Sequence, residues 1–363
     1  MNIAYLNINF RENTADGGST HIREFVNEVT NLGHEIYSDR SNHHPKVIHI
    51  SKGIISRIMT LKKCDVFYTR YQGEITHSMR FTTSTMRIIS KKSLNVWEFN
   101  TIPSFALLKG KDEKEVENQI RFLRKQAEIS DLAVCVTDKM ADFVNQKLGW
   151  KKVLMVPNAS NPSHFKPGLP CHPRMDFFSG NLNVVWLGSL FEQWNDFELL
   201  NKTAENLWNK GIKNVCFHLI GSFPGYISQM IPPNVFLYGA QSYHSLPNWL
   251  SAMDIGLILY KNEQATFGSP IKLFDYLSSG LAVISTTHPQ VKNILNEIGF
   301  EDFALKNNTP EDLAEKILLL LENQTLLKQY KENARKIIEA KYNWRNSVNM
   351  IITTLETLLD EYK

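Results

Sequence analysis

Asn183-Val184-Val185-Trp186-Leu187-Gly188 runs mostly apolar and then stops on a glycine. A short apolar run closed by a turn residue reads as a buried strand entering a tight turn. The same device opens the chain, where residues 3–8 form a strand candidate and Gly17 and Gly18 precede a helical pattern. Working back from Asn183, residues 158–182 hold Pro162, Pro167, Pro170 and Pro173 with Gly168 and Gly180, an irregular connector between two ordered stretches. Before it, strand candidates at 3–8, 34–37, 65–69, 95–99, 132–137 and 153–157 alternate with helical stretches at 20–32, 73–90, 112–130 and 138–147. After it, strands at 183–188, 215–221, 235–239, 255–260 and 282–286 alternate with helices at 196–209, 246–252, 271–279 and 310–321. Helices near 324–340 and 345–361 follow. Such alternation builds parallel sheets covered on both faces. The fold class is therefore α/β, with two doubly wound Rossmann-like domains facing a cleft. The domains are expected at 1–165 and 183–344, with a linker at 166–182 and a terminal helix at 345–363.

Bulk properties agree with two ordinary domains. The chain has 363 residues, 43% hydrophobic and 21% charged, which is long enough for two unstapled cores. Forty basic residues against 37 acidic ones leave a net charge of +3, which argues against nucleic acid as a partner. Cys64, Cys135, Cys171 and Cys216 are far apart and signal neither a zinc site nor a disulfide framework. His43, His44 and His49 lack a metal-ligand spacing, so no metal is expected. The first residues carry no basic, long apolar leader, and no run approaches a membrane span. A cytoplasmic protein is expected. The basic pairs Lys62-Lys63, Lys91-Lys92 and Lys151-Lys152 read as solvated faces, with peripheral contact to an anionic membrane at the inner face as the functional alternative.

Four segments are suited to chemistry. Gly17 and Gly18 open a helix and let a ligand approach its N-terminal amides; a turn capped by Ser19 or Thr20 is the plainer reading. Gly188 ends a strand, so a phosphate or sugar could lie over it. In Gly268-Ser269-Pro270-Ile271-Lys272-Leu273-Phe274-Asp275, Pro270 suits a first helical turn and Ser269 can cap it. The helix start and Lys272 make an anion site, and Asp275, three residues on, can accept ribose hydroxyls; a capped helix with a surface ion pair is the plainer reading. Glu98 and Asn100 end a strand on one side of it and are the candidate catalytic or acceptor-side contacts.

In order and spacing these segments resemble the GT-B nucleotide-sugar glycosyltransferases, specifically glycosyltransferase family 4. The resemblance covers nearly the whole chain. It rests on Gly17-Gly18, Gly33-His34-Glu35-Ile36, Tyr68-Thr69-Arg70-Tyr71, Glu98-Phe99-Asn100, Val156-Pro157-Asn158, Trp186-Leu187-Gly188-Ser189-Leu190, the Ser269–Tyr276 stretch and Gly280-Leu281-Ala282. It implies a retaining, metal-independent transfer from a nucleotide-sugar donor to a carbohydrate or glycolipid acceptor, with no cofactor, in surface polysaccharide or glycolipid synthesis. It also implies that the second domain binds the donor, with Asp275 on the ribose and residues 267–272 at the diphosphate. Gly17, Gly18, Gly188, Ser189, Asn195, Gly268, Ser269, Pro270 and Lys272 are the further donor-side expectations. Tyr342-Asn343-Trp344 looks like the family's tail, whose helix crosses back to the first domain. The chain departs from the family where Phe267 replaces the first of two glutamates eight positions apart. Gln193-Trp194-Asn195-Asp196 stands where a basic residue is common, and Asn100 where a histidine is. An epimerase of the same fold and a non-catalytic nucleotide-sugar-binding protein are the alternatives.

Overall fold

The computed structural model describes residues 1–12, 14–38, 44–50, 54–76, 79–80, 92–191 and 193–361. The first domain is built on a seven-stranded parallel sheet. Its strands are β1 (Asn2–Leu6), β2 (Glu35–Ser38), β3 (Val47–His49), β4 (Val66–Tyr71), β5 (Leu94–Phe99), β6 (Leu132–Cys135) and β7 (Val153–Met155), in the order β3-β2-β1-β4-β5-β6-β7. The second has β8 (Leu182–Ser189), β9 (Val215–Ser222), β10 (Val235–Leu237), β11 (Ile255–Ile258) and β12 (Ala282–Ser285), in the order β10-β9-β8-β11-β12, also parallel. Every residue of β4 is buried, even Thr69 and Arg70, as expected for a strand with helices over both faces.

In both sheets the chain winds outward from the first strand, then returns to its other side. The order reverses between β1 and β4 and again between β8 and β11. Crevices at the carboxyl ends of strands flanking such reversals are where open parallel sheets bind ligands.

The helices are α1 (Gly17–Asn31), α2 (Ile54–Leu61), α3 (Glu113–Ala127), α4 (Asp138–Gln146), α5 (Phe197–Asn209), α6 (Leu246–Leu250), α7 (Ile271–Ser278), α8 (Pro289–Glu297), α9 (Pro310–Glu322), α10 (Gln324–Ala340) and α11 (Trp344–Glu361). The sequence pattern did not indicate β3, α2 or α8. The helix expected at 73–90 falls mostly outside the described residues, as do His43 and Lys91; Met79 and Arg80 are helical.

Two crossings join the domains. The first follows β7; by Phe165 the side chain already sits in the second domain's core, so that core begins within the proline-rich connector, ahead of the linker expected at 166–182. The second is at Tyr342 and Asn343. The crossings run side by side: Ser160 N–H donates to Tyr342 O at 3.2 Å, and Trp344 N–H donates to Ser160 O at 3.1 Å. Helix α11 then lies on the first domain, where Val348, Ile351, Ile352, Leu355 and Leu358 join the core of Ile3, Tyr5, Ile22 and Phe25. Each such buried side chain contributes about 1.5–3 kcal/mol, so the returning helix is held firmly.

Candidate functional site

A cavity of about 710 Å³ opens between the carboxyl ends of the two sheets. All ten residues expected on the donor side line it, from Gly17 and Gly18 through Gly188, Ser189 and Asn195 to Gly268, Ser269, Pro270, Lys272 and Asp275. Asn100 lines it as well; Glu98 does not. Arg11 and Arg70 complete its cationic lining, and the sequence had assigned neither a role.

Helix α7 begins as expected, but its cap differs. The N-cap residue is Pro270, whose side chain can make no capping bond. The Ser269 hydroxyl instead accepts from Asn158 N–H at 3.1 Å, and Asn158 Nδ2 donates to Ser269 O at 2.7 Å. Ser269 therefore ties the donor-side loop to the first interdomain crossing. Lys272 and Asp275 do not form a surface ion pair. Lys272 Nζ donates to Leu187 O at 2.8 Å and lies 5.2 and 5.3 Å from the ring centres of Trp186 and Tyr260. Although the residue is partly exposed, desolvation among these rings lowers its ammonium from 10.5 to about 7. Asp275 is buried, and its Oδ1 accepts from Ser160 Oγ at 2.7 Å. Burial, reinforced by Glu24 and opposed by the Ser160 bond, raises it to about 8.

On the first-domain side, Asp16 rather than Ser19 or Thr20 caps α1, accepting from Ser19 N–H at 2.9 Å. A carboxylate therefore already stands at the helix start, which makes Gly17 and Gly18 a weaker place for a phosphate. The positive charge lies deeper. Arg70, 3% exposed at the end of β4, donates from Nη1 to Gly18 O at 3.3 Å, and its Nε is 3.5 Å from Glu98 Oε1.

Glu98 lies beneath the cavity, 1% exposed. Its Oε1 also accepts from Asn100 Nδ2 and faces His21 Nε2 at 2.9 Å. Burial pushes its carboxyl up, but His21 and Arg70 outweigh that and hold it at about 2. Glu98 thus orients two lining groups instead of reaching a ligand. His21 Nδ1 faces Asn158 Oδ1 at 2.8 Å, so a continuous polar chain runs from the Ser269 loop through Asn158, His21 and Glu98 to Arg70 and Asn100.

The remaining wall is backbone-rich. A Cβ on Gly188 would stand 2.7 Å from the Trp186 ring, and one on Gly221, at φ 154°, would strike Gly188 O. The β8 and β9 ends can approach only because both are glycine. Asn195 Nδ2 donates to Ser189 O at 2.8 Å, holding the loop where a basic residue was absent. Phe267 does not line the cavity. Its ring packs edge-on against Phe143 of α4 at 5.9 Å with Lys139 Nζ 4.5 Å from its centre, and its carbonyl accepts from Thr137 Oγ1 at 2.9 Å. Lys139 also bonds Glu263 Oε1 at 2.7 Å. The position of the missing glutamate has become a fastener between domains.

Comparison with known proteins agrees with this geometry. Residues 181–323 match the family model described as "Glycosyl transferases group 1". A stretch of 93 residues, 26% of the chain, is 29% identical to an uncharacterized glycosyltransferase of Methanocaldococcus jannaschii and spans 24% of that relative. The whole fold superposes on sucrose-phosphate synthase from Thermosynechococcus elongatus with a TM-score of 0.70 at 14% identity, covering 99% of each chain. It superposes equally on HepE of Anabaena, solved in complex with UDP, with a TM-score of 0.70 at 12% identity, covering 98% of this chain and 100% of that one. The resemblance read from the sequence is borne out at the level of the GT-B fold and, over residues 181–323, of the group 1 glycosyl transferases.

Proposed function

We propose that the protein is a retaining glycosyltransferase that moves the sugar of a nucleotide-sugar to a hydroxyl of a carbohydrate or glycolipid acceptor, without a metal, in the synthesis of a surface polysaccharide or glycolipid. One observation carries this reading. Arg11, Arg70 and Lys272, from both domains, converge with the α7 start on a single interdomain cavity large enough for a nucleotide-sugar. Such fixed donors stabilise charge as it develops on a leaving diphosphate. In the proposed step the bond from the anomeric carbon to the diphosphate oxygen breaks. The bond to the acceptor oxygen forms on the same face, and the acceptor proton passes to the departing phosphate. The nucleotide lies on the second domain, with Asp275 at the ribose and Lys272 at the diphosphate. Asn100 and Arg70 face the acceptor side. The UDP held by HepE supports a nucleoside diphosphate as the ligand.

The test has two stages. Calorimetric titration with UDP, GDP and ADP is expected to show at least one binding specifically, with EDTA leaving the affinity unchanged. Incubating the matching nucleotide-sugars with and without sugar acceptors is then expected to give a product only with acceptor. A new isomer of the donor formed without acceptor would instead establish the epimerase. Tight binding without any turnover would leave the non-catalytic reading.

A further inference from the structure

We propose that His288 is a positioning residue for the donor: its ring sets the peptide between Gly268 and Ser269 so that the Ser269 amide donates a hydrogen bond to the diphosphate. The inference rests on the proposed donor site and adds a residue that does not itself line the cavity. His288 stands between β12 and α8, and its side chain is fully buried.

Both ring nitrogens are engaged. Burial, opposed by hydrogen bonds to backbone carbonyls, lowers the imidazole from 6.5 to about 4, so at neutral pH the ring holds a single proton. Nε2 lies 3.2 Å from Gly268 O, which can only accept, so that proton is on Nε2 and is donated to the carbonyl. Nδ1 is then free to accept, and it does so from Val291 N–H at a long 3.5 Å, capping α8. One ring thus holds the donor-side loop with one nitrogen and starts a helix with the other.

Holding a carbonyl also fixes the amide that shares its peptide. The Gly268–Ser269 bond is trans, so Ser269 N–H points opposite to Gly268 O. The carbonyl is drawn to a buried ring outside the cavity, which turns the amide to the side on which Gly268 and Ser269 line it. Ser269 N–H has no partner among the described residues, although the Ser269 hydroxyl and carbonyl are both bonded to Asn158. Ser269 is buried, and buried amides are almost always paired, so an unpaired one beside a cavity marks a ligand contact. The preceding carbonyl, Phe267 O, is taken by Thr137 Oγ1 at 2.9 Å. Gln290, two residues past His288, ties the α8 start to the adjacent Val136 O at 2.8 Å. Two successive acceptors are therefore turned away from the cavity, and an amide is presented to it. Next along the chain is the α7 start, whose first amides lack intrahelical partners. An amide fixed in advance needs no reorganisation when a phosphate oxygen arrives, whereas a carbonyl in its place would repel that oxygen.

Two substitutions separate the two nitrogens. Asn places an acceptor where Nδ1 stands but reaches no further, so His288→Asn keeps the α8 cap and loses the bond to Gly268 O. Gln carries an amide to the place of Nε2, so His288→Gln keeps that bond and loses the cap. The full chain of each is titrated calorimetrically with UDP, GDP and ADP, and its melting temperature is measured. His288→Asn is expected to melt as wild type does, because Asn caps helices well. It should bind whichever nucleotide wild type binds most tightly about tenfold more weakly, the loss of one hydrogen bond to a charged group. His288→Gln is expected to melt lower and to bind as wild type does. A histidine with a structural role alone would make affinity follow melting temperature, the reverse order, and that result overturns the proposal. Wild-type affinity in His288→Asn overturns it as well, and leaves the proposed function standing. If wild type binds none of the three nucleotides, the proposed function fails and the role of His288 fails with it.

Discussion

Lys272 is expected to take up a proton when a nucleoside diphosphate binds. In the unliganded protein its ammonium is lowered from 10.5 to about 7, so at pH 8 only about a tenth is charged. A phosphate charge about 4 Å away, at an effective dielectric near 20, favours the ammonium by about 4 kcal/mol, or about 3 pKa units. The lysine then becomes fully charged, and binding at pH 8 should draw in about 0.9 proton. Calorimetry in two buffers of equal pH and different ionisation enthalpy measures that number directly. Asp275, raised to about 8 on the same helix, also titrates there, so Lys272→Met is needed to isolate the lysine. That variant should lose the uptake and bind UDP at least about tenfold more weakly. The same shift has a stability signature. A lysine whose folded pKa lies below its unfolded value costs most below pH 7, and the cost fades as pH rises toward 10.5. Its ceiling is about 5 kcal/mol, reduced by the water that reaches a partly exposed residue. Unliganded Lys272→Met should therefore melt higher than wild type near pH 7 and no higher near pH 10. Equal proton uptake and equal affinity in the two proteins would refute the reasoning.

Phe267→Ala removes the ring that Phe143 and Lys139 hold across the domain boundary, a loss of about 1–3 kcal/mol for the aromatic and cation–π contacts together. The expected result is a five-fold or larger shift toward open clefts, read as a broader inter-domain distance distribution by fluorescence energy transfer; an unchanged distribution would show that the contact carries no closure energy. Glu98→Gln tests the buried chain beneath the cavity. Its carboxyl is held at about 2 against an ordinary 4.5, so its stabilisation, of the order of 3 kcal/mol, is present above pH 4.5 and lost as pH falls toward 2. The variant should lose at least that much at pH 7, with Arg70 left without its carboxylate. Its melting temperature should also fall less steeply in acid, and parallel acid limbs in the two proteins would contradict this account.

The architecture was legible because both sheets are buried on two faces, which forces nearly continuous apolar strands such as Val66–Tyr71. Strand β3 was not, because its three residues carry no alternation and sit on an exposed edge. Helix α8 was hidden by Thr287-His288-Pro289, which reads as a turn; Pro289 in fact begins the helix and the buried His288 caps it. At the site, Lys272 and Asp275 could be found because a proline start, a lysine and a carboxylate three residues on are local signals. Ser269 was read as a cap for the same reason. Its real partner, Asn158, lies in the other crossing segment, and no local pattern reports such a bond. Arg70 was hidden differently: a cation inside a buried strand has no helix-start or glycine signature, and only the sheet reversal places it at the cavity.

The polar chain from Ser269 to Arg70 shows how the residues that depart from the family pattern are held in one arrangement. Asn158 is buried between a loop of the second domain and a helix of the first, donating to Ser269 O and meeting His21 with its own oxygen. The Asn158–Ser269 link buries polar atoms that would be left unpaired if the domains parted without water entering, at about 1–3 kcal/mol apiece. That link is made in the closed arrangement, and so are the bonds of Thr137 and Lys139 to the Phe267 segment. In that arrangement Arg70 is held by Glu98 and the Gly18 carbonyl, on the side of the cavity opposite Lys272. A carboxylate at position 267 could not pack against Phe143 as the phenyl ring does. With phenylalanine there, the loop gains its position from the first domain. Cation placement and domain closure then become one event.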